Sequence, residues 1–156
     1  MTNIANNTVL NMMVLHEEAL AKLYTVFCEK IPEMRDFWYE LVREEKGHAE
    51  VLRHLSKKLG GEIKSFNSRK FNVTALATSL DFLSERTDRF QKKGIGILKS
   101  LAFALDQEQS MLENKYFEVF ESDSPEIRKD LDLLRKHTSK HAGRVKKAME
   151  SIKGES

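Results

Sequence analysis

The sequence predicts an all-α fold, a left-handed four-helix bundle in which one long connection crosses the bundle. Four segments carry apolar side chains at alternating steps of three and four residues, which places them on one face of a helix. We call each such face a stripe. Only two prolines and seven glycines occur in 156 residues, so long helices are rarely interrupted. The order of the stripes along the chain predicts two helical hairpins joined by the crossover.

The first hairpin is predicted from two stripes separated by a proline. The helix near residues 6–30 carries the stripe Leu10, Val14, Glu17, Ala21, Tyr24, Cys28, Ile31. Pro32 suits the first turn of the next helix, because a missing N–H does no harm there. That second helix, near residues 32–59, carries the stripe Met34, Trp38, Leu41, Glu45, His48, Leu52, Leu55, Leu59. Gly60 and Gly61 then end it.

The crossover and the second hairpin follow from the same signals. Residues 60–94 begin as a polar loop and continue as a shorter amphipathic helix with Leu76, Leu80, Leu83 and Phe90, which Gly94 closes. The third long helix, near residues 95–121, carries the stripe Leu98, Leu101, Leu105, Glu108, Leu112. Ser124 is the predicted N-cap of the fourth helix and Pro125 its first residue. This helix, near residues 125–152, carries the stripe Ile127, Leu131, Leu134, Thr138, His141, Val145, Ala148, Ile152.

Composition indicates a single globular domain over residues 1–156 and narrows the classes of partner. The net charge of +2 is too small to predict a polyanion partner, and the basic run 135–147 is interpreted as a solvated helix face, so no nucleic acid is expected. The sequence contains no run of about 18 apolar residues, so no membrane span is predicted. It also has no basic leader, so no signal peptide is predicted. A lone cysteine, Cys28, excludes an internal disulfide and agrees with a reducing compartment. We therefore expect a cytoplasmic protein.

Glutamate and histidine, residue types that commonly bind metals, interrupt all four stripes near their middles. Three carboxylates and two imidazoles thereby face the predicted core: Glu17, Glu45, His48, Glu108 and His141. An unpaired charge in such a core costs several kcal/mol, so something must neutralise these groups. A metal centre is the simplest explanation. The other three histidines, His16, His54 and His137, fall off the stripes and are predicted to lie on the surface.

Helix arithmetic places these residues at one level of the bundle. Glu17 and Glu45 are each 14 residues from Ile31, so at about 1.5 Å per residue both lie roughly 21 Å from the tip of their hairpin. Glu108 and Thr138 are each 15 residues from Asp123, which again means the middle of the helices. Glu45 and His48 are spaced i, i+3 and can chelate one ion. Single glutamates on two helices and Glu-x-x-His pairs on the other two are typical of dimetal carboxylate sites in helix bundles.

On these residues the chain resembles the ferritin-like superfamily, and rubrerythrin-type proteins in particular. The similarity covers nearly the whole chain, including the helical crossover and the segment LVREEKGHAEVLRHL. It implies that Glu17, Glu45, His48, Glu108 and His141 are metal ligands. Thr138 departs from the family pattern, which has a glutamate there. These 156 residues also contain no Cys-x-x-Cys pair, so we expect no rubredoxin-type domain, and the resemblance implies that electrons come from a separate protein.

The resemblance implies a non-haem iron protein that reduces peroxide, reacts with dioxygen or oxidises ferrous iron, and it favours a homodimer. Carboxylate and imidazole ligands suit iron, manganese and zinc, and the sequence does not choose among them. Two ions bridged by Glu45 and Glu108 are the first expectation, with one histidine on each ion. Thr138 would leave the ion at His141 with one ligand fewer, so one ion rather than two is also expected to be compatible with the sequence.

Two alternatives remain open at this stage. The first is a single metal ion held by Glu17, Glu45 and His48, with a role in iron handling or sensing. The second is a metal-free ferritin-like bundle that binds a partner protein, in which the buried carboxyl groups are protonated or paired with histidines. Metal content and stoichiometry distinguish these three readings.

Overall fold

A computed structural model describes residues 2–58, 63–66, 73–113, 120–122 and 125–155. Within these ranges the chain forms five α-helices: α1 (Thr2–Lys30), α2 (Arg35–Lys58), α3 (Val73–Lys93), α4 (Ile97–Glu113) and α5 (Pro125–Glu155). The prediction of an all-α fold is therefore confirmed. None of the described helices has an apolar stretch long enough to cross a bilayer.

Proline and glycine set the helix boundaries much as predicted. Pro32–Met34 forms one turn of 3-10 helix that leads into α2, and Pro125 is the first residue of α5. Gly94 ends α3 with a backbone φ of 77°, the left-handed conformation that glycine adopts at low cost. Its N–H donates to the carbonyl of Phe90 at 2.8 Å, which satisfies one of the last carbonyls of the helix. The predicted N-cap, Ser124, lies outside the described residues.

A small β ribbon replaces two predicted features. Strand β1 (Ile63–Phe66) lies in the segment predicted as a polar loop, and it pairs antiparallel with β2 (Phe120–Ser122). The prediction of a third helix over 95–121 is wrong at its C-terminal end, because α4 ends at Glu113 and residues 120–122 are a strand. Strands this short have no detectable periodicity, and their hydrogen bonds come from a segment about 60 residues away.

The hydrophobic core lies between two hairpins, α1 with α2 and α4 with α5, and α3 packs against α1. Side chains that are at most 1% exposed include Leu10, Met13, Leu20, Leu23, Phe27, Trp38, Leu41, Leu52, Leu55, Leu83, Leu101, Leu134 and Val145. Most stripe positions in the described residues are buried or half-buried. Leu98 is an exception, since it is 40% exposed at the start of α4. The core therefore surrounds the polar middle of the stripes on both sides.

Candidate metal centre

Five ionisable side chains meet at the buried centre of the helices. Glu17 comes from α1, Glu45 and His48 from α2, Glu108 from α4 and His141 from α5, and none is more than 4% exposed. His48 Nδ1 lies 3.6 Å from Glu17 Oε2 and 3.5 Å from Glu45 Oε2. His141 Nδ1 lies 2.8 Å from Glu45 Oε1 and 3.6 Å from Glu108 Oε1. We call these five residues the Glu/His cluster. The residues from these four helices thus lie at one level of the structure, as the matched distances in the sequence predicted.

Both imidazoles of the cluster direct Nδ1 inward and Nε2 outward. Their rings stack, with centroids 5.2 Å apart and an interplanar angle of 17°. On the outer side, His141 Nε2 lies 2.9 Å from Glu44 Oε2, and His48 Nε2 lies 3.2 Å from His137 Nδ1. Partners on the outer nitrogen are what orient histidine ligands in metal sites and leave the other nitrogen free to bind.

Several inward atoms of the cluster lack a hydrogen-bond partner among the described residues. They are both carboxyl oxygens of Glu17, Oε2 of Glu45, Oε2 of Glu108 and Nδ1 of His48. A buried polar atom without a partner costs about 1–3 kcal/mol, so this concentration at one place calls for a ligand. Ligand atoms of Glu45, His48 and His141 lie within 4.8 Å of one another and could hold a metal ion. The unpartnered atoms and the donor types therefore both fit a divalent cation.

Protons stabilise the cluster in the absence of metal. Burial, reinforced by the neighbouring charge of Glu45, raises the pKa of Glu17 to about 8. Burial lowers the pKa of His48, but contacts with Glu17 and Glu45 outweigh it and raise the value to about 9. Contacts with Glu108 and Glu45 likewise overcome burial and raise the pKa of His141 to about 10. Near neutral pH, Glu17 is therefore neutral and both imidazoles are cations, so a divalent cation would take the place of these protons.

His137, which contacts the outer nitrogen of His48, is neutral. Burial, followed by the charge of His48, lowers the pKa of His137. Since His48 is a cation and His137 is not, the Nε2–H of His48 donates a hydrogen bond to His137 Nδ1. On the other ring, the Nε2–H of His141 donates to Glu44, which also binds Arg144. The ring orientations are thus held from outside the cluster by α2 and α5.

Thr138 is buried on its stripe but offers no ligand to the cluster in this conformation. It is 1% exposed, and its hydroxyl donates to the carbonyl of Leu134 at 3.0 Å. Tyr24 does contact the cluster, because its hydroxyl donates to Glu108 Oε1 at 2.7 Å. Burial raises the pKa of Tyr24 well above its ordinary value, so the hydroxyl remains a donor. The stripe pattern placed Tyr24 in the core without indicating this contact.

Two of the three histidines predicted at the surface are placed differently by the structure. His54 is exposed as predicted, whereas His16 is only 3% exposed and His137 is half-buried against His48. The sequence also gave no assignment to Glu44. A spacing of i, i+4 relates Glu44 to His48 and His137 to His141, which is a signal that both lie near the cluster, although each contacts the histidine of the other helix.

The resemblance to ferritin-like proteins depends on the order of the helices and on the residues of this cluster. In comparisons with known proteins, no family model, no curated protein and no solved structure matched the chain.

Proposed function

We propose that the protein is a ferritin-like, rubrerythrin-type metalloprotein, a four-helix bundle whose Glu/His cluster binds iron and reduces peroxide or oxidises ferrous iron. The observation that carries this proposal is the set of unpartnered carboxyl and imidazole atoms from α1, α2 and α4 that converge beside His141 of α5 in a dry core. Glu17, Glu45, His48, Glu108 and His141 would hold the metal. When bound, iron would supply the electrons for the reduction, and manganese or zinc would be the alternatives for the same ligands.

The chain's own residues support this chemistry in two ways. The outer contacts of His48 with His137 and of His141 with Glu44 hold the inward nitrogens in place. Tyr24 donates a hydrogen bond to Glu108 and so fixes one oxygen of that carboxylate. Reduction of one hydrogen peroxide to two waters consumes two electrons and two protons. Because the chain has no Cys-x-x-Cys pair, we assign the resupply of electrons to a separate donor protein.

A single metal ion is the second candidate, and a specific observation favours it. The three residues whose ligand atoms lie within 4.8 Å of one another, Glu45, His48 and His141, include both imidazoles of the cluster. Thr138 stands where a second Glu-x-x-His pair would have its glutamate, and its hydroxyl is directed to its own helix, so α5 supplies His141 as its only ligand among the cluster residues. One ion bound by this group would serve in iron handling or sensing. This set of three ligands contains His141, whereas the single-ion alternative from the sequence has Glu17 in its place.

Metal content tests the proposal directly. Protein expressed with iron and purified without chelators should contain one or two ions per chain by elemental analysis. His48→Ala and Glu45→Ala should each remove the metal while helicity by circular dichroism persists, because each removes a central ligand. His54→Ala is the matched control, since His54 is exposed on the same helix. Equal metal content in the wild-type protein and both cluster variants would show that the cluster is not the binding site.

Peroxide consumption then separates the enzymatic role from storage or sensing. Iron-loaded protein with an artificial electron donor should consume peroxide in proportion to its bound iron, and the His48→Ala variant should not. A protein that binds iron stoichiometrically but consumes no peroxide and oxidises no ferrous iron would support the sensing role over the oxidoreductase role.

A further inference from the structure

A groove of about 700 Å³ lies between α2 and α5, on the outer side of the Glu/His cluster. The outer edges of His48, His137 and His141 line it. Gly47 on α2 and Gly143 on α5 line it as well, and apart from the chain neighbours and backbone of its own helix, no atom lies within 4 Å of where a Cβ would stand on either residue. The two glycines therefore keep both helix surfaces open at the level of the cluster.

The size of this groove exceeds what peroxide or dioxygen requires. Pockets for small organic ligands usually measure about 300–1,000 Å³. A water molecule, which is close in size to a diatomic substrate, occupies about 30 Å³ in the liquid. The groove therefore has the dimensions of a site for an organic molecule with several carbon atoms.

Charge on the walls of the groove indicates the sign of that molecule. Lys140, Arg144 and Lys147 line the α5 side at helical spacing. The one carboxylate in the lining, Glu44, is already engaged by His141 and Arg144. Among the described residues, no carboxylate forms a salt bridge with Lys140 or Lys147. Arg144 is paired with Glu44 and Glu40, so Lys140 and Lys147 carry the positive charge of the groove that is not neutralised from within the described chain.

Apolar surface lies beside this charge. Val51 and Leu134 line the groove, and Leu133 at its edge is 44% exposed. The groove runs along the middles of two helices, where backbone N–H groups are already hydrogen-bonded within the helix. It therefore lacks the free N–H donors with which helix N-termini bind phosphate.

We propose that the groove between α2 and α5 binds a small organic carboxylate. Its carboxylate lies against Lys140 and Lys147, and its apolar part lies on Val51 and Leu133. This site needs no metal, so the inference goes beyond the proposed function and does not depend on it.

Titration of the full-length chain with hexanoate, followed by ¹H–¹⁵N NMR, tests the proposal. The amides of Gly47 and Gly143 should shift saturably, whereas that of Gly154, at the far end of α5, should not. Hexan-1-ol and inorganic phosphate serve as separate probes of the apolar wall and of the charge. Either probe binding as tightly as hexanoate would overturn the assignment, because the site would then recognise only one half of the ligand.

Two pairs of variants locate the binding. Gly143→Leu should fill the groove and abolish the shifts while keeping the helix, since leucine is the better helix former. Gly154→Leu, its matched control, should bind hexanoate as the wild type does. Lys140→Gln with Lys147→Gln should weaken binding roughly two- to thirtyfold, the range for two exposed ion pairs. Lys129→Gln with Lys146→Gln makes the same change of charge at exposed α5 positions outside the groove and should have no effect. Equal binding by Gly143→Leu and the wild type would refute the proposal.

The same titration with added zinc and after EDTA treatment separates the groove from the cluster. Equal hexanoate affinity in both conditions supports the groove, even if zinc itself does not bind. Binding that requires zinc would mean that the carboxylate coordinates the ion, which contradicts a site in the groove. A separate count of bound zinc tests the metal centre, so failure of one idea is distinguishable from failure of the other.

Discussion

Metal binding to the Glu/His cluster should release about three protons near pH 7. The pKa values of Glu17, His48 and His141 are about 8, 9 and 10 in the metal-free protein, so all three groups carry a proton at that pH. A metal ion binds carboxylates that are ionised and imidazole nitrogens that are not protonated, so each group must lose its proton. Metal affinity should therefore fall about thousandfold, or ~4 kcal/mol, for each pH unit between about 7 and 5.

Calorimetry measures the number of protons released when metal binds. Zinc or manganese would be titrated into metal-free protein in buffers with different ionisation enthalpies, and the slope of the observed heat against buffer enthalpy gives the protons released. Glu17→Gln should lower the count to two, because its side chain has no proton to lose. Glu18→Gln should leave it at three, since the neighbouring Glu18 is exposed and pairs with Arg53.

The count also distinguishes the two candidate sites. A value of two that Glu17→Gln does not change would mean that one ion is held by Glu45, His48 and His141 alone. Tight binding with the release of less than one proton would refute the reasoning, because it would mean that the imidazoles are neutral before the metal arrives or do not bind it.

Three further predictions concern stability and the second ion. Without metal, the free energy of unfolding should fall as pH rises from about 5 to 9, because groups with raised pKa values bind more protons in the folded than in the unfolded state. Between its pKa in the unfolded state and its pKa in the folded state, each group lowers the free energy of unfolding by up to ~1.4 kcal/mol per pH unit. Thermal melts at several pH values check the slope. Thr138→Glu should destabilise the metal-free fold by several kcal/mol and raise the metal count toward two per chain, so the melting temperature should rise more steeply with added Fe(II) or Mn(II) than in the wild type. A variant that melts as the wild type does in both conditions, with no extra metal, would show that position 138 does not face the site. Tyr24→Phe should lower metal-free stability by about 1–3 kcal/mol in urea unfolding, because it removes the donor to Glu108, whereas the exposed Tyr39→Phe should change nothing.

Helical periodicity carried most of what the sequence could predict. The stripes identified the buried faces of four helices, and they placed Glu17, Glu45, His48, Glu108 and His141 in the core because each occupies a position that must otherwise be apolar. Matched distances from the hairpin tips indicated that these side chains share one level. Whether they bind metal remains a prediction, since burial and proximity alone do not decide it.

The outer contacts of Glu44 with His141 and of His137 with His48 could not be predicted, because each joins two helices and depends on how far apart those helices lie. Glu44 and His137 sit beside their stripes, at positions that are solvated when helices pack closely and that face a groove when they do not. His16 was misplaced for a related reason. It lies next to Glu17 at the edge of a stripe, and the buried face of α1 is wider than a single stripe, as expected for a helix covered by both α2 and α3.

The β ribbon has a consequence for the order in which the molecule folds. Pairing of Ile63 with Ser122 closes a loop of about 60 residues, which costs roughly 3–4 kcal/mol of chain entropy before any contact compensates for it. Two strands of three or four residues cannot offset that cost unaided, because even longer isolated hairpins are marginal in water. The α1–α2 and α4–α5 hairpins, by contrast, contain mostly local contacts and can form early. The ribbon should therefore assemble only when both hairpins have docked, and slow hydrogen exchange at its amides would report the completed fold.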